Sequence, residues 1–428
     1  MPSDTPYAAE LKRWRLLAYV QAAAGFEAFS MATLVVFFVE YASFSFEAFS
    51  TFTASLFILL CLFEIPAGAM ADRFGRKLCL VLGNAIYACG MAALLTSRNT
   101  AALPWIAVLY SGGSALASGA FQSMMFDRFS ALGATAQFHV AMAKATGIGL
   151  WASAIAAFLG GAMAAVSLAL PLTVDALLLT LLTLVLWWKV PSAQGGEKYE
   201  HLTAGTPTPQ DHVAPSSHSF RELLGLALQF CASSRVWCFL VLTSALTFAG
   251  IRASFNLYQP LLRDAAVAVE WFGVIFGCLV LCAGICSQLF SRIKKSWLDR
   301  GHIELAIIAL FVVSLSLFVL NRFPPLWLIG CIAAHQIVRG LYPSYYSYRL
   351  NQAIPAAHPA RTTLLSMAQW ARALVSAIAI FCIGLLTENS DMATSFIVLN
   401  VVIAIGLLAA YALHYSARYG HHSTTSDA

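Results

Sequence analysis

The chain has 428 residues, of which 60% are hydrophobic and only 11% are Asp, Glu, Lys or Arg. A soluble domain carries about 25% charged residues. The mean hydropathy of +0.75 points the same way and argues against a soluble enzyme, a nucleic-acid binder or a secreted scaffold. The net charge of +5 has meaning only once its side of a bilayer is known.

A membrane helix needs about 20 apolar residues. Apolar runs at 16–40, 48–70, 78–97, 102–126, 138–165 and 168–188 predict six spans. A second set at 236–261, 270–291, 303–320, 325–348, 362–386 and 392–414 predicts six more. The expected fold is an all-α membrane protein with twelve transmembrane helices in two six-helix pseudo-repeat halves. The expected divisions are 1–190, 191–235 and 236–428. Residues 191–219 are rich in Pro, Gly, Ser, Thr and His without an apolar period, which reads as a flexible linker. Residues 220–235 read as an amphipathic surface helix. The ten cysteines fall in or beside apolar runs with no CxxC pair and no ligand-bearing partner. Neither a metal site nor a cofactor is expected.

Charge placement sets an orientation. With an even number of spans and a cytoplasmic N-terminus, the inner segments hold most of the Lys and Arg, including Arg13, Arg76, Lys77, Lys189, Arg292 and Arg349. The outer loops hold Arg98, Arg263 and Arg322. This is a positive-inside bias, with both termini and the linker expected in the cytoplasm and the protein in the inner (plasma) membrane. The start of the chain, with acids before its basic cluster and no small-residue cleavage site, reads as retained.

Between spans 2 and 3 the sequence is Gly68-Ala-Met-Ala-Asp72-Arg73-Phe74-Gly75-Arg76-Lys77. This resembles the G-x-x-x-D-R-x-G-R-K loop of the major facilitator superfamily, and the six-plus-six layout extends the resemblance over the chain. The resemblance implies a secondary transporter, not an enzyme, in which this loop latches the inner side. Gly68 is expected to permit a close helix approach. Asp72 is expected to sit at the positive end of a neighbouring helix beginning near Arg361. Arg73, Arg76 and Lys77 would anchor the loop. The sequence departs from drug-exporting members in having no Arg in span 4 and no Pro in span 5.

Ionisable groups deep in a bilayer cost about 2.5–3.5 kcal/mol each on insertion scales, so those retained are candidate working parts. Glu27 lies mid-span 1 and is the candidate proton carrier. Arg252, Asn256 and Gln259 recur at helical spacing on span 7. His335 and Arg339 share a face of span 10 with Tyr342 and Tyr346, and Arg372 lies on span 11. Asp175, on span 6, reads as an interhelical hydrogen-bonding group, and the tyrosines at 342–348 as interfacial aromatics. The family resemblance places spans 1, 4, 7 and 10 around a central cavity. Glu27, Tyr110, Arg252, Asn256, Gln259, His335, Arg339 and Arg372 are then the expected transport residues. Surplus arginine favours anionic or zwitterionic substrates, and a small anionic or amphipathic compound is expected.

No Walker motif occurs, so proton-coupled alternating access by a monomer is expected. The expected activity is export of a drug or secreted carboxylate such as a siderophore. The alternatives are import of a nutrient anion or metal chelate, and a sensor that no longer transports.

Overall fold

The computed structural model describes residues 6–25, 28–190, 220–290, 302–320, 324–355 and 358–423. Glu27, the linker 191–219 and the basic segment 291–301 lie outside these. Twelve principal helices follow in order. They are α1 Pro6–Ala24, α2 Phe46–Phe74, α3 Arg76–Thr96, α4 Leu103–Ala131, α5 Thr135–Val166 and α6 Leu170–Lys189, then α7 Arg235–Asp264, α8 Val269–Phe290, α9 His302–Val319, α10 Pro324–Ala353, α11 Arg361–Asn389 and α12 Met392–Ser423. A helix at Phe220–Ser233 precedes α7.

Among the described residues, ten helices are long and apolar enough to cross a membrane. The two principal helices that fall short are α1 and α10. Helix α10 carries His335, Gln336, Arg339, Arg349 and a run of tyrosines, which lower its hydropathy. The first predicted span, read as continuous over 16–40, is interrupted. Helix α1 stops at Ala24, and the chain resumes as a 3-10 turn at Ser30–Ala32, one α turn at Leu34–Val36 and a π turn at Phe37–Tyr41. The backbone N–H groups of Ala28, Phe29 and Ser30 are taken by the Asp175 carboxylate of α6. Apolar periodicity alone carries no sign of that bonding.

Helix ends follow local chemistry. Ser45 caps α2 by accepting from the Ala48 N–H at 3.1 Å, and Ser234 caps α7 by accepting from the Trp237 N–H at 3.3 Å. Asp391 caps α12, accepting from the Thr394 N–H at 2.7 Å. The side chain and N–H of Thr394 hold the Asp391 carboxyl below its ordinary value. Gly75 joins α2 to α3 at φ +93°, a conformation that other residues rarely adopt.

The chain divides into two compact units. The first comprises 1–210 with 268–281, and the second 211–267 with 282–428. Within the first, α3 packs on α4 and α6, and α1 on α5. Within the second, the equivalent pairs recur as α9 on α10 and α12, and α7 on α11. This repetition is the pseudo-repeat expected from the six-plus-six pattern. Each unit also ties the start of its third helix to the end of its fourth with an ion pair. Arg76 of α3 bonds Asp127 of α4, and Glu304 of α9 stands 3.9 Å from Arg349 of α10. The positions correspond and the charges are exchanged.

Candidate functional site

The polar residues singled out on spans 7, 10 and 11 all belong to the second unit, and the fold collects them. Helix α7 contributes Arg252, Asn256, Tyr258 and Gln259. Asn256 and Gln259 are buried, because their stripe turns inward on a helix whose other faces are apolar. Helix α10 brings His335, Gln336, Arg339 and Tyr342 to the same interior, and α11 supplies Arg372.

The cluster is wired by specific bonds. The Tyr258 hydroxyl and His335 Nδ1 are 2.6 Å apart. Rings of Phe311 and Phe396 flank His335 at centroid distances of 4.9 and 5.8 Å. Arg339 donates to Gln336 Oε1 at 3.3 Å and lies 6.0 Å from the centre of the Phe255 ring. Arg372 donates to the Tyr342 hydroxyl at 3.1 Å, which is also 3.2 Å from Ser244 Oγ of α7. One tyrosine thus connects α7, α10 and α11.

Electrostatics sets the character of this interior. Arg252 of α7 and Arg339 of α10 place two like charges in the interior of one unit. Among the described residues, neither Arg339 nor Arg372 has a carboxylate within 4 Å. Among the described residues, Asn256 Nδ2 is a buried donor with no hydrogen-bond partner. A low-dielectric interior strengthens both the repulsion and the cost of an unmet donor. An anion with several acceptor oxygens would offset both.

Other expected residues stand elsewhere. Tyr110 belongs to the first unit, packed edge-on against Phe52 and Tyr87 at 5.6 and 5.1 Å. Arg73, Gly75, Arg76 and Lys77 form the α2–α3 junction. Arg76 also donates to the Ser123 carbonyl at 2.9 Å, and Lys77 lies 5.3 Å from the centre of the Trp187 ring at the end of α6. Asp72 lies in the last turn of α2, with its side chain outside the described set. Gly68 lies within α2.

The tyrosines need a correction. Tyr342, Tyr345 and Tyr346 are buried, not interfacial. Their rings pack against one another, tilted or edge-on, at 5.2 Å, and the hydroxyls of Tyr342 and Tyr346 find interior partners in Ser244, Arg372 and Thr247. Tyr258 and Ser244 were not singled out in the sequence. Local spacing carries no signal for them, because their partners His335 and Tyr342 lie on α10, far away in the sequence.

Comparison with known proteins accords with this geometry. The Major Facilitator Superfamily model matches residues 16–348. The uncharacterized MFS-type transporter YxaM of Bacillus subtilis (strain 168) is 20% identical over 358 residues, 83% of this chain and 84% of that protein. Among solved structures, the nucleoside transporter NupG superposes with a TM-score of 0.70 at 15% identity, covering 94% of this chain and 98% of its own. A bacterial homolog of the human lysosomal transporter Spinster, inward-facing and unoccupied, also gives 0.70, at 14% identity and 97% coverage of both chains. The chain belongs to the Major Facilitator Superfamily and is a multi-pass membrane transporter of small molecules.

Proposed function

We propose that the protein is a proton-coupled exporter of a small organic anion, bound in the second unit between α7, α10 and α11. The observation that carries this reading is the arginine set. Arg252, Arg339 and Arg372 all belong to the second unit, and among the described residues Arg339 and Arg372 have no carboxylate within 4 Å. Arginine presents a planar fork to carboxylate and phosphate oxygens, and the buried Asn256 Nδ2 adds a neutral donor. Phe255 beside Arg339 adds an apolar wall, which suits an amphipathic anion such as a carboxylate siderophore.

Glu27 is the proposed proton carrier, because an acid deep in an apolar span is retained only at a cost. The positive-inside pattern supports the plasma membrane with both termini in the cytoplasm. The Gly68–Lys77 loop is the proposed inner latch.

Metabolite profiling of cells and medium, with and without the protein, tests the direction and the charge of the substrate together. The expected result is an anionic compound that is depleted from the medium and retained in cells when the protein is lost. A neutral or cationic compound responding instead would defeat the anion reading. An anion retained in the medium would reverse the direction to import.

A further inference from the structure

The interruption of the first span is built by two other helices. Helix α1 ends regularly, with Gly25 N–H still bonded to the Gln21 carbonyl at 2.9 Å. Beyond it, Asp175 Oδ1 accepts from the N–H groups of Ala28 and Phe29 at 3.1 and 3.0 Å. Asp175 Oδ2 accepts from the N–H and hydroxyl of Ser30 at 2.8 and 2.7 Å. Four bonds fill the acceptor capacity of one carboxylate. Asp175 and Ser30 are 3% and 2% exposed.

The opposite side of the same backbone faces α5. A Cβ on Gly160 would stand 2.0 Å from the Phe29 carbonyl oxygen, so only glycine admits the unwound chain there. Irregular backbone at membrane depth is tolerated where protein buries it. Here one helix supplies the acceptors and another the clearance. The chain that follows changes register twice, from a 3-10 turn through one α turn to a π turn. Such turns often mark hinges and functional sites. Hinges are a few loop or element-terminal residues that absorb large changes in backbone angle.

We propose that Asp175 is a positioning residue of the transport cycle. By holding the first span interrupted beyond α1, it keeps Ser30–Tyr41 a separate lever, able to turn without carrying Pro6–Ala24 with it. Asp175 touches no transported molecule in this role and acts through the span it divides. A purely structural staple would stabilise the fold without altering the balance between transport conformations.

The test uses the full chain in lipid nanodiscs, comparing the parent with Asp175→Asn and with Ser30→Ala, which removes only the hydroxyl bond. Hydrogen exchange at residues 28–30 reads the clamp. A nitroxide pair reads the conformational balance. It is attached through ketone-bearing residues at Val166 and Val319, which are 82% and 62% exposed. Asp175→Asn is expected to speed exchange at 28–30 by about tenfold, with α7 unchanged. The ratio of the distance populations is expected to shift by about threefold. If Asp175→Asn does not fold, Ser30→Ala decides, with smaller changes in the same sense. Unchanged exchange at 28–30 overturns the clamp. Faster exchange with superimposable distance distributions overturns the positioning role and leaves a staple.

Discussion

At the scale of single residues, the arginines and the groups that hold them decide the chemistry. Arg252→Ala is expected to weaken binding of anionic substrates by about tenfold or more, since a charge-assisted bond contributes roughly 1.5–3 kcal/mol. Neutral analogues should change far less, and equal losses for both would show that the side chain acts by packing. Tyr342→Phe removes the hydroxyl that joins Arg372 to Ser244. Thermal unfolding in detergent should show a loss of about 1–3 kcal/mol. Much of this was legible in the sequence, because an arginine in an apolar run is conspicuous and helical spacing puts 252, 256 and 259 on one face. The tyrosines were misread, because an aromatic near a span end looks alike whether it meets lipid headgroups or a buried guanidinium. Asp175 was legible as a hydrogen-bonding group. Its partners were not, since they are main-chain N–H groups freed by a break that hydrophobicity does not record.

At the scale of helices, the two corresponding ion pairs invite a direct comparison. Arg76 and Asp127 are 29% and 58% exposed, whereas Arg349 and Glu304 are 11% and 3% exposed. An exposed pair contributes about 0–1 kcal/mol. Removing one partner of a buried pair costs about 3–5 kcal/mol, because a charge is left without compensation. Arg76→Ala should therefore barely change unfolding stability, while Arg349→Ala should lower it severely. Adding Glu304→Gln to Arg349→Ala should recover much of the loss. A stability unaffected by Arg349→Ala would mean that Glu304 finds its compensation elsewhere. Spans 2 to 12 were readable from apolar runs and their punctuation. Span 1 was not, because its fate depends on a carboxylate that arrives from α6, distant in the sequence.

At the scale of the whole molecule, the repeated helix pairing within each unit provides the twofold plan on which alternating access rests. The Gly68–Lys77 loop belongs to that scale, since its proposed task is to hold one conformation closed. Asp72→Asn should slow turnover while leaving substrate affinity nearly unchanged, and unchanged turnover would remove the latch role. A membrane potential contributes about 2.3 kcal/mol per charge per 100 mV, which corresponds to roughly a fiftyfold concentration ratio. Coupling at that scale is measurable in proteoliposomes supplied with the anion that profiling identifies and an imposed pH gradient. The account predicts that the anion accumulates against its own gradient, and that Glu27→Gln abolishes this while still allowing downhill exchange. Accumulation that is indifferent to the pH gradient, or undiminished in Glu27→Gln, would contradict it.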